Sequence, residues 1–341
     1  MACIRRHHRT SSARPGTSHA ARTRREAATA NASQPRAAFA RDRRDGPAVA
    51  PLAPAPRVTR PRIEAIGRSL AHHGRQWAPP IDRHLTTRVY DRLGHTIAAI
   101  APHLDLTALQ LLMRYALWCY ALDELVDKPG GPPPRDTAAG VIAVLHTRQP
   151  VHHDPLGAKL ATILHDLERR DADRIWLPDL TAALADAAVA AAAHRDLAIA
   201  VATRDAATPT AEQYLRLASR HINYRSFALA LLITVPAPAQ LAATDRISQA
   251  LDEAATAVRL ANDLRTVEQD RQEQALNILD LRWHNGQPVT VIDIAEQIDQ
   301  HVHAHDRLLS AMSGPRYGPA QQTLRNSLRV AVGAYRTSDL K

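Results

Sequence analysis

From Ile63 onward, apolar side chains recur at three- and four-residue intervals, the spacing that gives an α-helix one buried face. No stretch alternates strictly enough to predict a half-buried strand. The pattern predicts an all-α chain, with helices over 62–73, 80–101, 106–127, 136–148, 156–172, 179–204, 210–234, 240–273, 289–313 and 319–337. Pro129-Gly130-Gly131-Pro132-Pro133-Pro134 must end one of these, because proline lacks the amide donor and clashes with the preceding turn. Pro236-Ala237-Pro238 ends another. Thr107 with Gln110, Thr208 before Pro209, and Thr290 with Asp293 are helix-start signals. No repeat of fixed period is present, which argues against a solenoid.

Residues 1–61 lack that periodicity and are rich in Arg, Ala, Ser, Thr and Pro, with few large apolar side chains to offset the entropy of ordering. They are expected to form a disordered tail, and residues 62–341 a single helical domain. The tail changes how the formal charge of +9 is read: 14 Arg in residues 1–62 face only Glu26, Asp42 and Asp45, which leaves the body at about −2. A nucleic-acid partner is therefore not indicated for the body. A translated spacer, a transit signal and a basic arm all fit the tail's composition, and none of them decides function. Arg114 and Asp123 bracket the most apolar run, and Asp186 and Arg195 interrupt the alanine-rich one, so no membrane span is expected. Two cysteines, Cys3 and Cys119, exclude a disulfide framework and fit a reducing, cytoplasmic setting.

Two acidic stretches carry candidate chemistry. The first closes the most hydrophobic predicted helix, where Asp123 and Asp127 lie one turn apart on one face. Two carboxylates so close repel each other unless a cation lies between them, and paired oxygen ligands are what Mg²⁺ takes when phosphates complete its shell. A charged helix end leaving the core is the plainer reading. The second stretch sets Asn262, Thr266 and Asp270 at i, i+4 and i+8, stacking an amide oxygen, a hydroxyl and a carboxylate along one stripe. Alone it is weak, since such residues are common on exposed helices.

Together the stretches resemble those of the class I terpene synthases, an all-α family with an Asp-rich motif and a downstream (N/D)Dxx(S/T)xxxE motif on facing helices. The first stands here as Asp123-Glu124-Leu125-Val126-Asp127 and the second as Asn262-Asp263-Leu264-Arg265-Thr266-Val267-Glu268-Gln269-Asp270. Glu124 replaces the second Asp and Asp270 the final Glu, which keeps oxygen donors but changes their reach by one methylene. The resemblance is to bacterial members, including diterpene synthases, and spans most of residues 63–341. It implies a diphosphate-sensing arginine some forty residues before the second motif. Arg220 fills that place, with Asn223 and Tyr224 at the linker-like and effector-like positions and Arg216 and Arg225 as rivals. It also implies an Arg-Tyr pair near the C-terminus, for which Arg316-Tyr317 is the candidate, ahead of the short end that begins at Tyr335.

The same resemblance implies an isoprenoid diphosphate substrate, with three Mg²⁺ ions and an arginine neutralising the departing diphosphate. A dry cavity then shapes the carbocation, and Tyr120, Cys119, Ala116 and Phe227 are candidates for its wall. A C20 substrate is expected, either geranylgeranyl diphosphate or a bicyclic labdane-type diphosphate supplied by a class II diterpene cyclase. Farnesyl diphosphate is the alternative, and a homodimer is allowed. Prenyl diphosphate synthases share the fold, but generally carry two Asp-rich motifs, whereas the later motif here begins with Asn and contains Thr. Head-to-head condensing enzymes use two DxxxD motifs, and Val267 stands where the second would need its last Asp. A helical binding module with a basic arm is the reading from another class. His301 and His305 share a helix face, but no third ligand completes a zinc site.

Overall fold

The computed structural model describes residues 59–337 apart from 80, 82–84, 128–131, 151–152, 236–244, 313 and 315–316, and it leaves the side chains of Asp127, Arg336 and Thr337 outside the description. The tail up to residue 58 and the centres of both proline-rich breaks lie outside the described residues. Among those described, the chain forms eleven α-helices and no strand. They are α1 (Arg60–Trp77), α2 (Thr87–Ile100), α3 (Leu106–Asp127), α4 (Pro134–Thr147), α5 (Pro155–Arg170), α6 (Leu177–Ala202), α7 (Ala211–His221), α8 (Tyr224–Thr234), α9 (Asp245–Gln272), α10 (Val291–Ser310) and α11 (Gly318–Thr337). A single 3₁₀ turn (Ile278–Asp280) lies between α9 and α10. No described helix is long and apolar enough to cross a membrane.

Helix α3 sits at the centre because it is apolar on every face. Leu111, Leu112, Met113, Tyr115, Leu117 and Trp118 are each at most 1% exposed. The helix touches α1, α2, α4, α5, α6 and α8. The Trp118 indole N–H, which this burial would otherwise strand, donates to the Leu156 carbonyl at 2.9 Å. Around α3, α9 lies against α7, α8, α10 and α11, and α6 against α4, α7 and α8. The functional consequence is that α3 can aim Asp123, near its C-terminal end, inward without leaving the core.

Helices α1 and α2 cross closely because Gly67 and Gly94 face each other: a Cβ at Gly94 would collide with the Gly67 carbonyl oxygen. Backbone cannot yield as a side-chain tip does. Gly94→Ala is therefore expected to destabilise the fold by about 1–3 kcal/mol, read as a shifted urea midpoint at unchanged slope.

Several predicted ends move. The cap of α3 is Asp105, whose carboxylate accepts the Ala108 N–H at 2.8 Å, and not Thr107. The cap of α7 is Thr210, two residues beyond the expected Thr208, in a reciprocal capping box with Gln213. Thr290 and Asp293 form the expected box at α10. The predicted helix 210–234 is two helices, broken at Ile222–Asn223. Asn223 adopts φ 60°, a left-handed conformation that Asn tolerates better than most residues. The apolar pattern runs through this break, so periodicity does not reveal it.

Candidate active site

One cavity opens between the C-terminal end of α3, the middle of α6, the α7–α8 break and the face of α9. Asp123 and Tyr120 line it from α3, Asn223 from the break, and Asn262, Thr266 and Asp270 from α9. Two motifs far apart in the chain thus face each other across a single hollow, whose remaining wall includes Cys119, Leu122, Ala187, Ala191 and Ile222. The side chain of Asp127, one turn beyond Asp123, lies outside the described residues, as does Arg316.

The α9 donors are held in a fixed arrangement. Asp270 Oδ2 accepts from the Thr266 hydroxyl and from Asn277 Nδ2, each at 2.7 Å. Asn277, fully buried, also donates to the Asp263 backbone carbonyl at 2.8 Å, pinning the 3₁₀ turn beneath α9. Amide, hydroxyl and carboxylate oxygens in this order are a hard-cation donor set, and Asp123 supplies a carboxylate from the facing helix. Among the described residues no three His, Cys, Asp or Glu side chains converge, so nothing resembles a zinc site. His301 bonds Glu253 at 2.6 Å, and His305 is buried beside Asp306.

Below the donors lies a buried ion pair. Arg259 Nε is 2.8 Å from Asp263 Oδ1, with the two side chains 7% and 0% exposed. The Tyr214 hydroxyl donates to Asp263 Oδ2 at 2.9 Å and accepts from Arg259. Burial pushes the Asp263 carboxyl up to about 6, against the pull of Arg259. Burial also raises the Cys119 thiol, with the Asp123 charge adding to it, so this sulfur stays protonated and inert.

Other candidate residues fall elsewhere. Arg220 is half exposed and forks onto Asp186 with bonds of 2.7 and 2.6 Å, away from the cavity lining. The reason is helical phase: the buried stripe of α7 is Tyr214, Ala218 and His221, and Arg220 stands one position off it. Arg216 is exposed, and Arg225 is bound to Asp252 and Ser248. Tyr224 is buried with its hydroxyl on Ser327, at 3.1 Å, in the packing of α8 on α11. Phe227 packs against Tyr115 with ring centroids 6.4 Å apart. Tyr317 bonds back to Gly314 ahead of α11, whereas Tyr335, in the last turns of α11, borders the cavity. His194, His221 and Arg259 also border it, and neither sequence motif includes them. Arg259 was reachable, being three residues before Asn262 on the same stripe; His194 carries no local signal.

A family model described as terpene synthase family 2, C-terminal metal binding, matches residues 114–291, just over half the chain, from α3 to the start of α10. The chain belongs to terpene synthase family 2. As a member it is a class I terpene synthase, a lyase that releases diphosphate. No curated protein matches it by sequence. Solved structures share its fold at low identity. Linalool/nerolidol synthase from Streptomyces clavuligerus, in complex with 2-fluorogeranyl diphosphate, matches with TM-score 0.66 and 16% identity over 80% of this chain and 94% of that one. For 2-methylisoborneol synthase from Streptomyces coelicolor A3(2), in complex with Mg²⁺ and 2-fluoroneryl diphosphate, the values are 0.66, 14%, 84% and 94%. For a-eudesmol synthase they are 0.62, 14%, 80% and 96%. The structural likeness thus covers more of the chain than the family match does.

Proposed function

We propose that this synthase uses Mg²⁺, as three ions, to ionise an acyclic isoprenoid diphosphate, and that Asp123 and Asp127 on α3 and Asn262, Thr266 and Asp270 on α9 hold the metal. The observation carrying this reading is that Asp123 faces the α9 stripe across one cavity, part of whose wall is the apolar Leu122, Ala187, Ala191 and Ile222. Bound Mg²⁺ would supply Lewis-acid stabilisation of the charge growing on the diphosphate oxygens as the carbon–oxygen bond breaks. The protein's own part is to fix the donors: Thr266 and Asn277 orient Asp270, and Asn277 ties α9 to the turn after it. Tyr120, Leu122, Ala187 and Ala191 present apolar surface to the carbocation.

The ten-carbon fluorogeranyl and fluoroneryl diphosphates bound by the structural neighbours make a C10 chain a candidate beside the C20 and farnesyl substrates expected from the sequence. Incubating the full chain with ten-, fifteen- and twenty-carbon diphosphates, followed by gas chromatography and a diphosphate assay, tests this. Turnover of one chain length with Mg²⁺, and a loss of about a hundredfold or more on chelation, are the expected results. Diphosphate release at an equal rate under chelation would remove the metal from the reading.

A further inference from the structure

Three nitrogens in the cavity wall have no hydrogen-bond partner among the described residues: His194 Nε2 on α6, and Nδ1 and Nε2 of His221 at the end of α7. Both histidines border the cavity and are 4% and 7% exposed, with ring centroids 5.0 Å apart. The neighbouring groups do not satisfy them. Asp123 Oδ1 stands 3.4 Å from His221 Nε2, but outside hydrogen-bonding geometry. The Tyr214 hydroxyl, beside His194, is committed to Asp263 and Arg259, and the adjoining α6 wall is Ala187 and Ala191. Buried polar atoms are almost always hydrogen-bonded, by ordered water where the protein offers nothing, and a polar site with two or more partners and enough room is where such water binds.

We propose that His194 and His221 hold a water molecule in this cavity and that this water ends the reaction, making the product a terpene alcohol. The inference rests on the diphosphate-releasing reading above and names how its carbocation is consumed. A lone pair of the water oxygen forms the new bond to the cationic carbon. One O–H bond of the resulting oxonium then breaks, its electrons staying on oxygen and its proton passing to His194 Nε2. The imidazolium returns that proton to the released diphosphate or to solvent when the cavity empties. Overall, one diphosphate ester and one water give one alcohol and one protonated diphosphate, with no oxidant or reductant needed.

Burial, reinforced by His221 and Arg259, lowers the His194 pKa well below its ordinary value. The ring therefore keeps a lone pair to orient the water and to accept its proton. His194 is thus a catalytic residue in this step. His221 is the second anchor, fixing which face of the water looks into the hollow.

The experiment is to run the full chain on its substrate in heavy-oxygen water and to analyse products by gas chromatography and mass spectrometry. Wild type, His194→Phe and His194→Asn would be compared, with diphosphate release and melting temperature measured in parallel. The expected wild-type product is an alcohol carrying the heavy isotope. In His194→Phe the alcohol fraction of whatever product forms should fall about tenfold or more, and hydrocarbons from the same cation should rise. His194→Asn, smaller and still polar, should regain part of the alcohol, and it keeps the question open to measurement should the Phe variant fold poorly. An unlabelled hydrocarbon as the wild-type product, or an unchanged alcohol fraction in both variants, would overturn the proposal. Absence of diphosphate release from every substrate tried would instead reject the ionisation reading on which it stands.

Discussion

Asn262→Ala is expected to lower turnover by about a hundredfold to a thousandfold, the range seen when one preorganised electrostatic contact to the transition state is removed, while leaving the melting temperature unchanged. Asn262 is half buried at the cavity edge, and none of the side-chain hydrogen bonds that hold α9 together runs through its amide. Its removal therefore deletes an oxygen donor without stranding a partner, and the effect falls on chemistry. Asp123→Ala, from the opposite wall, should lower turnover by a similar factor. The control is Arg220→Ala: its guanidinium is spent on Asp186 at the surface, so diphosphate release should stay within about threefold of wild type and stability within about 0.5 kcal/mol. Steady-state rates for the three variants decide the matter. Full turnover in Asn262→Ala would detach the α9 stripe from the reaction, and a collapse in Arg220→Ala would restore the arginine to the site.

The second large effect is on stability. Arg259→Met leaves the Asp263 carboxylate buried without its countercharge and should destabilise the fold by about 3–5 kcal/mol, which for a domain of this size lowers the melting temperature by roughly 10 °C. The carboxyl can escape part of this by taking a proton, because burial already pushes it up to about 6. Arg259→Met combined with Asp263→Asn removes both charges together. Most of the lost stability should return, since a neutral replacement of a buried pair is often tolerated. A circular-dichroism melt of the single and double variants measures the difference. Equal losses in both would mean that shape, not charge, is what this pair contributes.

How legible the molecule is in its sequence varies by element. Helix α3 falls over the predicted range because a continuous apolar run, closed by prolines and glycines, is local information. The stripe Asn262, Thr266, Asp270 is equally local, since any helix places i, i+4 and i+8 on one side. The break at Asn223 is not, because the residues on either side of it keep a helical pattern and only the left-handed turn separates them. His194 is illegible for a related reason. Its helix is alanine-rich and apolar around most of its circumference, so no contrast marks the face that looks into the cavity. Tyr335, and not Tyr317, borders the cavity, because spacing from a motif does not tell which of two chain segments packs beside it.

Sequence alone determined the helical class, most of the helices and the two sets of oxygen-bearing side chains, because each depends on residues within a few turns of one another. Only the tertiary structure decided that these sets face each other, that Arg220 turns outward to Asp186 while Arg259 turns inward to Asp263, and that two histidines complete the wall. Those outcomes depend on how separate helices rotate as they pack. That rotation is set by burial summed over the whole core, which no short stretch of chain contains.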